Sequence, residues 1–129
     1  MTVGGRASRA ILATGGVALA AATVLGALAA HALPGRISAQ QLDVFDTAVR
    51  YHFYHALGLL AIGLTARALD SALIRWSAGL ILAGIVLFSG SLYLLSLGAP
   101  RPIGLVTPLG GVALIVGWLV FALGALRAG

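Results

Sequence analysis

Residues 10–35, AILATGGVALAAATVLGALAAHALPG, lie between Arg9 and Arg36 and run for 26 positions without a formal charge. A hydrocarbon core of about 30 Å needs about 20 mostly apolar helical residues to cross it. Within lipid only a helix or a closed barrel satisfies its own backbone N–H and C=O groups. The first run meets that need, and charge-free runs of 16, 25 and 25 residues follow between Arg50 and Arg67, Arg75 and Arg101, and Arg101 and Arg127. The pattern predicts an all-α membrane protein, a four-transmembrane-helix bundle with short loops. One integral-membrane domain over residues 1–129 would hold helices at about 10–33, 38–69 (its first part outside the membrane), 72–97 and 107–127.

Composition excludes most alternatives. Hydrophobic residues make up 60% of the chain and charged residues 9%, with a mean hydropathy of +1.08, against about 25% charged in an ordinary soluble domain. The pI of 11.2 could suit nucleic acid, but the arginines stand singly at span ends instead of forming a phosphate-binding patch. Membrane lipid, not nucleic acid, is the expected partner. With no cysteine, disulfide and thiolate chemistry are ruled out. Arg6, Arg9 and Ala30-His31-Ala32 imitate a signal peptide, yet a signal core is about 7–15 residues long and Ile11 to Leu33 is long enough to span, so the segment is expected to stay.

Arginine placement sets the orientation. Arg6, Arg9, Arg67, Arg75 and Arg127 fall on one side, and Arg36, Arg50 and Arg101 on the other. The excess of positive charge marks the cytoplasmic face, which predicts cytoplasmic N- and C-termini.

Local signals mark the helix ends. Leu33-Pro34-Gly35 is a stop and turn, and Ser38-Ala39-Gln40-Gln41 has the form of a capping box flanked by Ile37 and Leu42 as a hydrophobic staple. The second helix must start outside the bilayer, because Asp43, Asp46 and Arg50 lie on its first turns and a charge at mid-membrane costs about 2.5–3.5 kcal/mol. Asp46 and Arg50 are spaced for an i,i+4 ion pair. Leu42, Phe45, Val49, His52, Ala56, Leu59 and Gly63 form one stripe at helical spacing, with Asp43, Thr47, Arg50 and Tyr54 opposite. Leu97-Gly98, Pro100 and Pro102 close the third span, and Thr107 as N-cap with Pro108 in the first helical position opens the fourth. Gly110, Gly117 and Gly124, and likewise Gly16, Thr23 and Ala30, fall seven apart and read as helix-packing seams.

Depth supplies the functional hint. On this topology His31, Tyr51, His52, His55, Ser89, Ser91, Tyr93 and Thr107 gather in the outer half, while the inner half holds little beyond Thr14 and Thr65. A second span starting after His55 would have about 11 apolar residues, roughly 17 Å, too short to cross. His52 and His55 must therefore enter the interfacial zone or lie below it. On the plainest reading these rings sit at headgroup level and bond neighbouring helices. A sharper one makes His31, His52 and His55 ligands for a metal or haem, although the spans lack the carboxylates common in such sites. A third places them on a proton or small-solute path. Ser89-Gly90-Ser91 lacks the strand–turn–helix setting of a nucleophile elbow, and Gly15-Gly16 and Gly110-Gly111 lack that of a phosphate loop.

Four blocks carry a family resemblance: Gly26 to Leu33, Phe45-Asp46-Thr47-Ala48 leading to Tyr51-His52-Phe53-Tyr54-His55-Ala56-Leu57, Phe88 to Leu94, and Thr107 to Gly111. Together they resemble the domain-of-unknown-function family 423, the transmembrane protein 256-like group, over nearly the whole chain. The resemblance implies a small bacterial inner-membrane protein of four helices with no assigned reaction. Ala29 stands where the family pattern usually has glycine, and His52 where glutamine is more usual, which leaves His31 and His55 as the better candidates for a shared polar role. The leading expectation is a non-enzymatic structural protein needing no cofactor and no metal, acting in a homo-oligomer or as an accessory component of a larger membrane complex. The alternative is a haem-, metal- or small-ligand-binding, or proton- or solute-conducting, protein built on the outer histidines, with His31 and His55 in one site.

Overall fold

A computed structural model describes residues 3–128, which fold into four long helices: α1 (Val3–His31), α2 (Ala39–Ala68), α3 (Ala72–Ser96) and α4 (Val106–Arg127). A 3-10 turn, Arg101–Leu105, leads into α4. Three segments, Gly4–His31, Ala72–Ser96 and Arg101–Arg127, are long and apolar enough to cross a membrane. α2 falls short of that standard because Asp43, Asp46 and Arg50 occupy its first turns and His52, His55 and Arg67 dilute the rest.

Most ends follow from local chemistry. After His31 the N–H groups of Ala32 and Leu33 both donate to Leu28 O at 2.9 Å, and the chain turns through Gly35 at φ +82°, a conformation open to glycine. Ser38 caps α2 in the expected reciprocal way: Gln41 N–H donates to Ser38 Oγ at 3.0 Å and Ser38 N–H to Gln41 Oε1 at 2.9 Å. α3 ends where Gly98 takes φ +101° and Ala99 N–H reaches Leu94 O at 2.9 Å.

Three expectations need correction. α1 begins at Val3 and not near residue 10, carrying Arg6 and Arg9 on its first turns. Thr107 is not an N-cap, because the 3-10 turn runs straight into α4 and Leu105 occupies that position without a side-chain cap bond. Arg50 does not pair with Asp46; its Nη2 donates to Thr47 Oγ1 at 3.3 Å.

α2 is the hub. It buries eleven residues, including Phe45, Val49, His52, Ala56, Leu59 and Gly63 of the expected stripe, and leaves Asp43, Arg50 and Tyr54 exposed. α1 runs antiparallel along one side of it, with Gly15 against Leu60 and Gly63 against Leu12. The α1 seam lies one residue away from the one read in the sequence. Ser8, Gly15, Ala22 and Ala29 are buried, whereas Gly16, Thr23 and Ala30 face outwards and a Cβ on Gly16 would meet nothing within 4 Å. One position is about 100° of rotation on a helix, enough to take Gly16 out of the intrachain contact.

α3 and α4 pack antiparallel through glycines. Gly124 sits on Leu73 and Ile74, Gly117 on Leu80 and Ile81, and Gly110 on the backbone of Leu87 and Phe88. Around that last contact α3 changes character, being α-helical over Ala72–Gly84, π-helical over Ile85–Ser89 and α-helical again over Gly90–Ser96. Gly90 N–H donates to Ile85 O, five residues back. The extra residue shifts the inward stripe: Ile74, Ala78, Ile81 and Ile85 would continue as 88, 92 and 95, but Ser89 and Ser96 are the buried residues and the half-buried Tyr93 between them reaches His52.

Gly110→Ala would place a Cβ 2.7 Å from the carbonyl carbon of Leu87, and rigid backbone cannot swing aside. It should cost about 1–3 kcal/mol, while Gly16→Ala should cost nothing or gain up to about 1 kcal/mol of helix propensity. Unfolding of both variants in one detergent checks this, and equal stabilities would contradict the packing described.

Candidate functional site

The polar side chains singled out in the sequence do not form one cluster. They divide into separate helix-to-helix contacts.

Between α2 and α3, Ser89 at the end of the π turn donates its hydroxyl to Ala48 O at 2.8 Å, and the Tyr93 hydroxyl shares a 2.8 Å hydrogen bond with His52 Nδ1. The Tyr93 ring also lies 5.0 Å from Phe45, centroid to centroid. Both contacts depend on the π turn, because without its extra residue Ser89 and Tyr93 would point about 100° away.

Between α3 and α4, Ser91 Oγ lies 2.6 Å from Thr107 Oγ1 and donates to Phe88 O at 2.9 Å. A serine hydroxyl has one hydrogen. With that hydrogen given to the carbonyl, Thr107 is the donor to Ser91, so Thr107 spends its hydroxyl on joining α4 to α3.

His55 is held differently. Its Nδ1 lies 2.7 Å from Tyr51 O, and since a carbonyl only accepts, Nδ1 carries the hydrogen. The ring stacks on Tyr51 at 6.1 Å and packs 6.1 Å from Trp118. Trp118 lies near the middle of α4 (Val106–Arg127), so His55 stands level with the middle of that helix. Packing against the indole holds it at that level.

His31 is exposed at the end of α1. α1 and α2 pair so that Gly26 meets Val49 and Gly15 meets Leu59, which sets His55 level with about residue 20 of α1. The offset to His31 is about 11 residues, roughly 16 Å at 1.5 Å per residue. His31 and His55 therefore do not share a site. Among the described residues no three His, Asp or Glu side chains come together as a metal-binding group.

Three buried serines escaped the sequence reading, among them Ser96, which donates to Tyr93 O at 2.7 Å within α3. Ser8 donates to Gly63 O at 2.8 Å and ties α1 to α2 at the arginine-rich end, and Ser77 donates to Ile74 O at 2.6 Å within α3. The heptad Ser8, Gly15, Ala22, Ala29 was the available signal, overlooked beside its neighbour one residue along. Polar groups thus occur in both halves of the bundle.

The segment from residue 25 to 111 matches the family model described as protein of unknown function (DUF423), which takes in all eight of the polar residues above from His31 to Thr107. The chain belongs to the DUF423 family. A UPF0382 membrane protein of Staphylococcus saprophyticus is 47% identical over 102 residues, covering 79% of this chain and 84% of that one. The UPF0382 membrane protein YwdK of Bacillus subtilis is 47% identical over 104 residues, covering 80% and 85%. The UPF0382 inner membrane protein YgdD of Escherichia coli is 37% identical over 103 residues, covering 80% and 79%. No solved structure matches. With such relatives and its apolar helices, this DUF423 chain is a membrane protein.

If His52 and Tyr93 act as a pair, His52→Leu and Tyr93→Phe should be non-additive in stability. A coupling energy of about 0.6–1.7 kcal/mol is expected for a hydrogen bond between helices in lipid. A double-mutant unfolding cycle giving zero coupling would contradict the pairing.

Proposed function

We propose that this DUF423 protein is a four-pass protein of the bacterial inner membrane with both termini in the cytoplasm. It catalyses nothing and works as a structural or accessory component, as a homo-oligomer or within a larger membrane complex. One observation carries the reading: six of the eight candidate polar side chains, all but His31 and Tyr51, are spent on helix-to-helix and backbone hydrogen bonds. Among the described residues every fully buried side-chain nitrogen and oxygen has a partner. His52, Ser89, Ser91, Tyr93 and Thr107 therefore act as fasteners between α2, α3 and α4.

α2 crosses on this reading although it is the least apolar of the four helices. Its two deep imidazoles lie against Tyr93 and Trp118, so lipid meets mainly Leu57, Ala61 and Leu64 along its inner half. Association draws support from the outer surface of α1, where Gly16, Ala20, Thr23 and Ala27 are exposed at the small-residue spacing that lets membrane helices approach closely.

Fusing a reporter active only outside the cytoplasm to each terminus in turn should give no signal from either end, and a signal from one end alone would overturn the four-pass topology. Separately, the protein extracted in mild detergent should run as a particle larger than one chain or carry a stoichiometric partner. A monodisperse monomer without a partner would remove the association.

A further inference from the structure

Two grooves converge on Arg75. The first, of about 270 Å³, runs between α1 and α3, lined by Ala7, Ala10 and Thr14 on one side and Ala78, Gly79 and Leu82 on the other, with Arg75 at its end. The second, of about 240 Å³, lies on the other flank of Arg75, between Ala72, Trp76 and Gly79. Gly79 opens both, since a Cβ built on it would meet nothing within 4 Å. Trp76 is 70% exposed beside the second, in the first turns of α3, where an indole suits the boundary between headgroups and acyl chains.

We infer that this DUF423 chain binds one anionic diacyl phospholipid, with an acyl chain in each groove and the phosphate on the Arg75 guanidinium. Charge complementarity selects that occupant. This end of the bundle carries Arg6, Arg9, Arg67, Arg75 and Arg127 against the single carboxylate of Asp70, a field that draws anionic headgroups at a membrane surface. Arg75 Nη1 donates to Asp70 Oδ1 at 2.6 Å, which fixes the guanidinium at the point where the grooves meet. A guanidinium has five N–H donors in a planar fork, so the ion pair leaves donors to spare for a phosphate. From Arg75 to Leu82 the first groove extends about 10 Å along the helix axis between small side chains, room for a flexible hydrocarbon chain.

The inference rests on the membrane reading of this end, not on which compartment the end faces. A reversed topology would leave the lipid preference in place, and loss of the lipid preference would leave the topology in place.

The test is native mass spectrometry of the protein released from nanodiscs made of equimolar phosphatidylglycerol and phosphatidylethanolamine. The wild type should retain one phosphatidylglycerol in preference to phosphatidylethanolamine. Arg75→Gln should lower that preference about fivefold, the equivalent of one basic group at a membrane surface. Gly79→Leu should fill the grooves and abolish retention of either lipid while the unfolding temperature stays unchanged, because the branch starts from a Cβ that meets nothing within 4 Å. Equal retention of the two lipids by the wild type would overturn the inference. So would a change of oligomeric state in Gly79→Leu with lipid retention intact, since a second copy of the chain would then be the occupant.

Discussion

On the four-pass reading proposed above, a helix that crosses lipid with two imidazoles on it must present them to other helices, and the enclosure of α2 answers that constraint. A polar group buried in hydrocarbon without a hydrogen bond costs several kcal/mol. α2 meets the cost by becoming the most enclosed helix of the four. α1 covers one side, the upper part of α3 supplies Tyr93 to His52, and the middle of α4 supplies Trp118 beside His55. The other three helices need no such enclosure, and most of their surface faces outwards.

The π turn of α3 makes the enclosure possible. An unbroken α-helix keeping Ile74, Ala78 and Ile81 inwards would turn Ser89 and Tyr93 aside. One extra residue at Ile85–Ser89 brings both onto α2. The turn also widens α3 locally, and room for it exists because Gly110 presents no side chain to the backbone of Leu87 and Phe88. A glycine on α4, a bulge in α3 and two hydrogen bonds to α2 are thus linked consequences of one local geometry.

Much of this was legible in the sequence because it depends on short-range rules. The capping box at Ser38, the glycine turns at Gly35 and Gly98 and the apolar stripe of α2 follow from hydrogen-bond arithmetic and helical spacing over a few residues. Gly110, Gly117 and Gly124 could be read as a seam since a heptad stripe on one helix is visible without its partner. What the sequence withheld depends on choices between helices. Two small-residue heptads run side by side on α1, and only the position of α2 selects Ser8, Gly15, Ala22 and Ala29 over Gly16, Thr23 and Ala30. The π turn leaves no mark in composition, so the faces of Ser89 and Tyr93 could not be assigned. His31 and His55 looked like neighbours by depth, but the antiparallel register of α1 and α2 puts them on different levels.

The central claim, that α2 crosses the membrane because its polar face is enclosed, can be measured at its two ends. The chain contains no cysteine, so Ala39→Cys and Leu69→Cys each supply a single reactive site. A membrane-impermeant maleimide applied to intact cells should label position 39 and reach position 69 only after the membrane is opened. Labelling of both positions from the same side would contradict the account.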